Sequence, residues 1–413
     1  MKKFIVIFSL ISLLVSCSTS TTGMNFEAEK FEIQNGDNYS DIKNRYDEYP
    51  IDNNYSDSYI EFSNTISKKL IDGKENLFYS PMSLYLAMSM LIPGSEGQSR
   101  DEILSLMNLA ELDEAVISKN VGNIFNRYSY EKDDIKLLFA NSAWIDKKYK
   151  LNPEYAEKIN KEQYASLFTR NLSSSEVEDI TNWIKEKTGG LIEVKFEPSK
   201  NSILYLVNTI YYKAAWINIF DKKMTKKDTF HTPDKDIETD FMNQKEDMLH
   251  YKDDRIEAIS KRLNNFTYID FILPSENESI ESIIENYDIS NIPFDHSHVK
   301  LSLPKFISKS EIDFKELFEK MGISAPFKFS SDFSKMFEEN TEDVAITDIK
   351  QLTYIDVSEE EVEAAATTII GMETTAMPPS DSIEVKFDRP FIYVVKTSDR
   401  LPIFIGTMVN PTE

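Results

Sequence analysis

Apolar and polar positions change their spacing along the chain, and the changes divide it. Met1-Lys2-Lys3 precede an apolar stretch from Phe4 to Val15, which ends at Ser16 and Cys17. A basic start and about a dozen apolar residues make a secretion signal, too short for a membrane span, which needs about 20. From Cys17 to Asn54 the chain is rich in Ser, Thr, Asn and Asp, and its few apolar residues keep no period. We read residues 17–54 as a polar spacer and place the onset of packing near Tyr55. Tyr59, Phe62, Ile66 and Leu70 then recur at intervals of three and four, the stripe of an amphipathic helix that Gly73 stops. Ser80-Pro81 signals another helix start, continued by Leu84, Met88 and Leu91 as far as Pro93-Gly94. Helices are also predicted from Pro153 to about Leu167, and from Ser174 through Trp183 to Gly189-Gly190. The second half reads as strands: Leu204–Tyr212, Lys300–Pro304, Thr353–Val357, Ile383–Phe387, Phe391–Thr397 and Pro402–Met408, enriched in β-branched and aromatic residues. Helices early and strands late predict an α+β fold, and no internal repeat is visible.

With 413 residues, two or three domains is the default, though single domains can run longer. The 26 Phe and 20 Tyr against 11 Gly and 15 Pro give ample material for a large core. A formal charge of −24 repels phosphate backbones and argues against a nucleic-acid partner. One cysteine excludes a disulfide framework and any Cys-rich metal site, so its position is the informative fact. Leu14-Val15-Ser16-Cys17 resembles the bacterial lipobox. The resemblance implies that residues 1–16 are removed and that acylated Cys17 ties an exported protein to a lipid membrane of the bacterial cell envelope, at the outer membrane or cell surface. The alternative is a plain signal peptide with an incidental cysteine. Loss of Lys2 and Lys3 leaves 70 acidic against 44 basic residues, a formal charge of −26.

No enzyme signature stands out. Gly-x-Ser-x-Gly, Gly-x-Gly-x-x-Gly, the phosphate-cradling Gly-x-x-x-x-Gly-Lys and His-Glu-x-x-His are absent. His296 and His298 would share a strand face, but without further ligands at suggestive spacing they read as surface residues, and no metal or cofactor is expected. With Cys17 acylated, cysteine catalysis would have no nucleophile.

One segment remains unexplained by packing, Ser358 to Ser380, inside a stretch from Gln351 to Val385 without lysine or arginine. A strand would sort it onto two faces. Val362, Ala364, Ala366, Thr368, Ile370, Met372 and Thr374 carry no charge, whereas Glu363 and Glu373 fall on odd positions. One face is therefore fit for burial, yet small residues, Gly371 and acidic flanks suit an exposed loop. By composition alone an ordinary loop or edge strand is the simpler reading.

The flanks add something more specific. Val385-Lys386-Phe387-Asp388-Arg389-Pro390-Phe391-Ile392-Tyr393 and Pro402-Ile403-Phe404-Ile405-Gly406 through Asn410-Pro411 resemble the C-terminal motifs of the serpins, the serine protease inhibitor family. So do Asn76-Leu77-Phe78-Tyr79-Ser80-Pro81-Met82-Ser83, Asn182-Trp183 with Thr188-Gly189-Gly190-Leu191-Ile192, Leu206 to Lys213 with Trp216, Leu303-Pro304-Lys305-Phe306 and Met321-Gly322. They follow the family order from about residue 55 to 413.

The resemblance implies one domain over 55–413, with three β-sheets and eight or nine helices, and a reactive loop at about 359–380. It implies no enzyme but a suicide substrate. A serine protease, or a cysteine protease, forms an acyl-enzyme on the loop and is trapped in a covalent complex when the loop inserts into the central sheet, a behaviour already described for serpins in general. Glu359 and Glu360 open the hinge, Glu361 and Val362 replace the usual glycine and threonine, Glu363-Ala364-Ala365-Ala366-Thr367 form the small-residue run, and the reactive bond is Thr375-Ala376. Ser80, Ser83, Asn208, Trp216 and Gln351 fall in the region where the sheet opens, Gln351 where the family often has a histidine. Thr375 and a loop without basic residues point to elastase-like or subtilisin-like targets rather than trypsin-like ones. The protein is expected to be a monomer. The alternative is a non-inhibitory member whose fold serves binding or structure and whose loop is only a substrate.

Overall fold

The computed structural model describes residues 25–35, 39–133, 135–192, 194, 195, 197, 203–329, 331–338, 344–347, 349–362 and 382–412. Cys17, the run Glu363 to Thr367 and the Thr375-Ala376 bond lie outside the described residues, as do the side chains of Glu361 and Val362. In chain order the elements that build the site are β1 (Asn25–Phe26), α1 (Tyr39–Glu48), α2 (Asn53–Leu70), α3 (Pro81–Ser89), α4 (Glu114–Tyr128), β2 (Ile135–Asp146), α5 (Pro153–Glu162), β3 (Ala165–Arg170), α6 (Glu178–Lys187), β4 (Leu204–Ala215), β5 (Asp236–Lys252), β6 (Ile256–Arg262), β7 (Phe306–Asp313), β8 (Lys350–Val357) and β9 (Glu361–Val362).

Local chemistry sets several boundaries. The Asp52 carboxylate accepts the amides of Asn54 (2.9 Å) and Tyr55 (3.3 Å) and starts α2, whose stripe buries Tyr55, Tyr59, Phe62 and Ile66. Ser80 caps α3, accepting the Ser83 amide at 3.0 Å with Pro81 in the first turn. The helix predicted to run on to Leu167 stops earlier, at Glu162. Tyr164 takes a left-handed φ of 50°, and the next six residues are strand β3.

Among the described residues there are nine α-helices and three sheets, an α+β fold. The central sheet has the order β1-β3-β2-β4-β9, with Tyr130–Lys132 also on β2. A two-stranded sheet pairs β7 with β8. A nine-stranded sheet contains β5 and β6 and, toward one edge, the C-terminal strands Phe391–Lys396 and Pro402–Met408. The central sheet is buried on both faces. Even residues of β4, such as Leu204, Leu206 and Ala214, join the main core, while Tyr205 and Val207 pack with Trp144 and with Ile180, Trp183 and Ile184 of α6.

The stretch read as a spacer is not free of the domain. β1 adds an edge strand antiparallel to β3. Phe31, Tyr46 and Ile51 pack against the main core, and the Phe31 ring lies 5.3 Å from Phe125 and 5.2 Å from Tyr164. Packing thus begins well before Tyr55. These residues lie on a surface that others have formed, so they need no repeating period of their own.

Candidate functional site

β4 and β8 face each other without a ladder between them. Among the described residues β4 pairs with β2 and β9, and β8 with β7 alone. The gap holds two clefts. One lies between Tyr205, Val207, Leu352 and the Ile184 side of α6. The other lies between Asn208, Tyr212, Leu352, Tyr354 and Ser83. Unpaired strand edges inside a protein are an open template for another strand.

The start of α3 floors the slot and is tied to both walls. From β8, the Gln351 side chain accepts the Ser80 amide (2.8 Å) and donates to the Ser80 carbonyl (2.9 Å). From β4, Asn208 bonds the Ser83 hydroxyl and donates to Asn141 of β2. The Ser80 hydroxyl donates to the carbonyl of Ile403 at 2.6 Å. Ser80, Ser83, Asn208 and Gln351 are therefore one cluster. Trp216 is not part of it. It lies just past the far end of β4, where its indole N–H donates to the Ser358 carbonyl at 2.8 Å.

That end is where the acidic segment leaves β8. The Phe220 amide donates to the Glu359 carbonyl at 2.9 Å. The Glu359 carboxylate is almost fully buried, paired with Lys305 at 2.8 Å and accepting the Thr225 hydroxyl at 2.8 Å. Burial raises its pKa, but these partners outweigh it and hold the group below the ordinary glutamate range. Glu360 pairs with Lys222 at 2.9 Å, a more exposed contact. The backbone then turns into β9, where Glu361 lies opposite Ala215 and Val362 opposite Ala214 in antiparallel register. Ala214, the partner of Val362 in this ladder, is part of the main core.

Sequence reasoning missed Thr225, Lys222 and Asn141, and named Lys305 only as part of a motif. The spacing from Lys305 to Glu359 carries no periodic signal, because it is closed by tertiary structure.

A central sheet with a strand position that no described residue fills, fed at one end by a chain already paired to its rim, defines a class of proteins built to accept one more strand. Comparison makes the class specific. The sequence model of the family Serpin (serine protease inhibitor) matches residues 57–411. An uncharacterized serpin-like protein of Thermococcus kodakarensis is 28% identical over 369 residues, 85% of this chain and 84% of that one. The hibernation-specific plasma protein HP-55 of Tamias sibiricus is 27% identical over 384 residues, 89% of this chain and 91% of that one. The crystal structure of tengpin, a thermophilic serpin, in its native state is similar with a TM-score of 0.79 at 27% identity, covering 94% of this chain and 100% of tengpin. Tengpin in its latent state gives 0.73. The chain belongs to the serpin family.

Proposed function

We propose that this protein is a serine protease inhibitor that acts as a suicide substrate at Thr375-Ala376. The observation that carries the reading is the register of β9. Each paired position sums to 576 (361 with 215, 362 with 214), so continuing the strand brings Glu363 to Met372 alongside Lys213 to Leu204, the unpaired edge of β4. Every even residue of the inserted run would then face the main core, and every one is uncharged. About a dozen new backbone hydrogen bonds, at roughly 1 kcal/mol each, favour the inserted state.

The chemistry is that of the attacking protease. Its serine oxygen bonds to the Thr375 carbonyl carbon, the Thr375–Ala376 amide bond breaks, and the protease's general acid protonates the new amine at Ala376. Residues up to Thr375 are freed at their C-terminal end and insert while the ester persists. A loop without basic residues supports elastase-like or subtilisin-like targets. Lipid attachment through Cys17, with export to the cell envelope, is part of the same reading and is supported by the lipobox-like sequence.

The test is to incubate the mature protein with an elastase-like protease and look for a conjugate that survives denaturant. Clean cleavage near Thr375 without a conjugate, at every protease tried, would reject inhibition and leave a binding or structural role.

A further inference from the structure

Lys261 ends the buried part of β6 and lies outside every motif that carries the family resemblance. Its side chain is only 3% exposed, beside Glu246 at 16%. Burying an ammonium is costly unless its donors are used, so its partners show what it serves. It donates to the Glu246 carboxylate at 2.5 Å and to the side-chain amide oxygen of Gln244 at 2.7 Å, both on β5. Its nitrogen also lies 5.5 Å from the centre of the Trp216 ring and 4.9 Å from that of Phe220, within cation–π range. Burial pulls its pKa below the ordinary lysine range although Glu246 opposes this.

Trp216 and Phe220 bracket the turn on which the hinge rests. The first gives its indole N–H to Ser358, the second its amide to Glu359. Both of the lysine's acceptors also hold the residues between. Asn218 donates to Glu246 at 2.6 Å, and Gln244 donates to the carbonyls of Asn218 and Ile219 at 3.2 Å each. The Ile217 amide donates to the carbonyl of Arg262, next to Lys261, at 3.3 Å. The turn is thus fixed to β5 and β6 from beneath, with one cation at the centre, and presents two donors to the hinge above.

We infer that Lys261 is a positioning residue for the reactive loop. Held by Glu246 and Gln244, its ammonium fixes the Trp216–Phe220 turn and so sets how firmly Ser358 and Glu359 are docked before insertion. Among the described residues, the polar and ring partners of Lys261 are Glu246, Gln244, Trp216 and Phe220, none of them in the loop. The inference rests on the insertion reading only for its effect on inhibition; the docking itself is a property of the intact protein.

Lys261→Met keeps the stem and removes the cation. In the intact protein the Phe220 amide should exchange its hydrogen at least tenfold faster, and Trp216 emission, isolated by subtracting the matching Trp216→Phe protein, should shift to the red. With a protease that forms the conjugate, the rate of first attack on the loop should stay within twofold, because Thr375 comes 16 residues after Glu359 in the chain. The number of inhibitor molecules consumed per protease trapped should change at least threefold. Lys261→Arg, which keeps the charge, should restore most of the Phe220 protection. Should Lys261→Met fail to fold, Glu246→Gln loosens the same ammonium from the partly exposed side and gives the same readouts.

Wild-type exchange at Phe220 in Lys261→Met or in Glu246→Gln would overturn the inference, as would exchange raised equally across the whole domain, which marks general destabilisation. If the wild-type protein traps no protease, the inhibitory reading fails, yet the Phe220 and Trp216 measurements still decide the role of Lys261.

Discussion

Val362 is the residue on which the insertion reading can be tested most directly. It already lies opposite Ala214, which is 1% exposed and part of the main core. An arginine there would have to bury its guanidinium for the strand to extend, at a cost of several kcal/mol. Val362→Arg is therefore expected to convert inhibitor into substrate: cleavage continues, while conjugate on a denaturing gel falls at least tenfold. An unchanged yield of conjugate would show that this face does not enter the core. Glu359 gives a second test, by pH. Its folded pKa is lowered, so its contribution is present above the unfolded value near 4.5 and lost as pH falls through the folded value. Asp356, raised by burial with Glu359 adding to the rise and Lys305 opposing it, has the opposite sign and offsets part of that loss. Glu359→Gln should accordingly melt below wild type at pH 7, and the gap should narrow as the pH is taken below 4.5. A gap independent of pH would mean that the charge of Glu359 does not act in the clamp.

At the scale of elements, what could be read from the chain depended on what holds each element together. α2 and α3 were visible because their caps and stripes are local: Asp52, Ser80 and Pro81 start them, and Tyr59, Phe62 and Ile66 repeat along one face. Strands of the last third were visible because both faces are buried and the apolar runs are continuous. β2 was missed, although its 12 residues run down the middle of the central sheet, because Lys136, Asn141 and Ser142 interrupt its pattern. β5 was missed for a similar reason, since charged and exposed positions alternate irregularly along its 17 residues. The site followed the same rule: Ser80, Ser83, Asn208 and Gln351 came with motifs, whereas Lys261, Thr225 and Lys222 became meaningful only once the turn and the hinge met. Gly406 shows how tight the last strands are. A Cβ there would come within 2.2 Å of the Tyr393 ring, itself fully buried against Phe78 and Phe306. Gly406→Ala should cost about 1–3 kcal/mol by overpacking, measured as a lower midpoint in denaturant with an unchanged slope. Stability within a few tenths of a kcal/mol of wild type would show that the ring can move aside.

At the scale of the whole molecule, the ladders fix where Asn25 lies relative to the hinge. Asn25 is level with Phe168, Phe168 with Trp144 and Trp144 with Tyr205. The hinge meets β4 at Ala215, ten positions away, roughly 33 Å at ~3.3 Å per residue. β1 runs from the level of Phe168 to that of Leu167, so Asn25 is the end of this strand farther from the hinge. An anchor at Cys17, eight residues earlier and so within about 28 Å of Asn25, would hold the domain by the end of the central sheet opposite the hinge. Attachment to vesicles through acylated Cys17 should then leave the rate of protease attack within about twofold of that of the same protein begun at Ser18. Insertion reverses the geometry. Met372 would come level with Leu204, and Thr375, three residues on, would carry the protease to the tethered end. Energy transfer from a labelled protease to a dye in the vesicle lipid should therefore be weak at encounter and rise as the conjugate forms. In the Val362→Arg protein, which is cleaved without inserting, it should not rise. Strong transfer before cleavage, or no rise with full conjugate yield, would mean that anchor and loop do not occupy opposite ends.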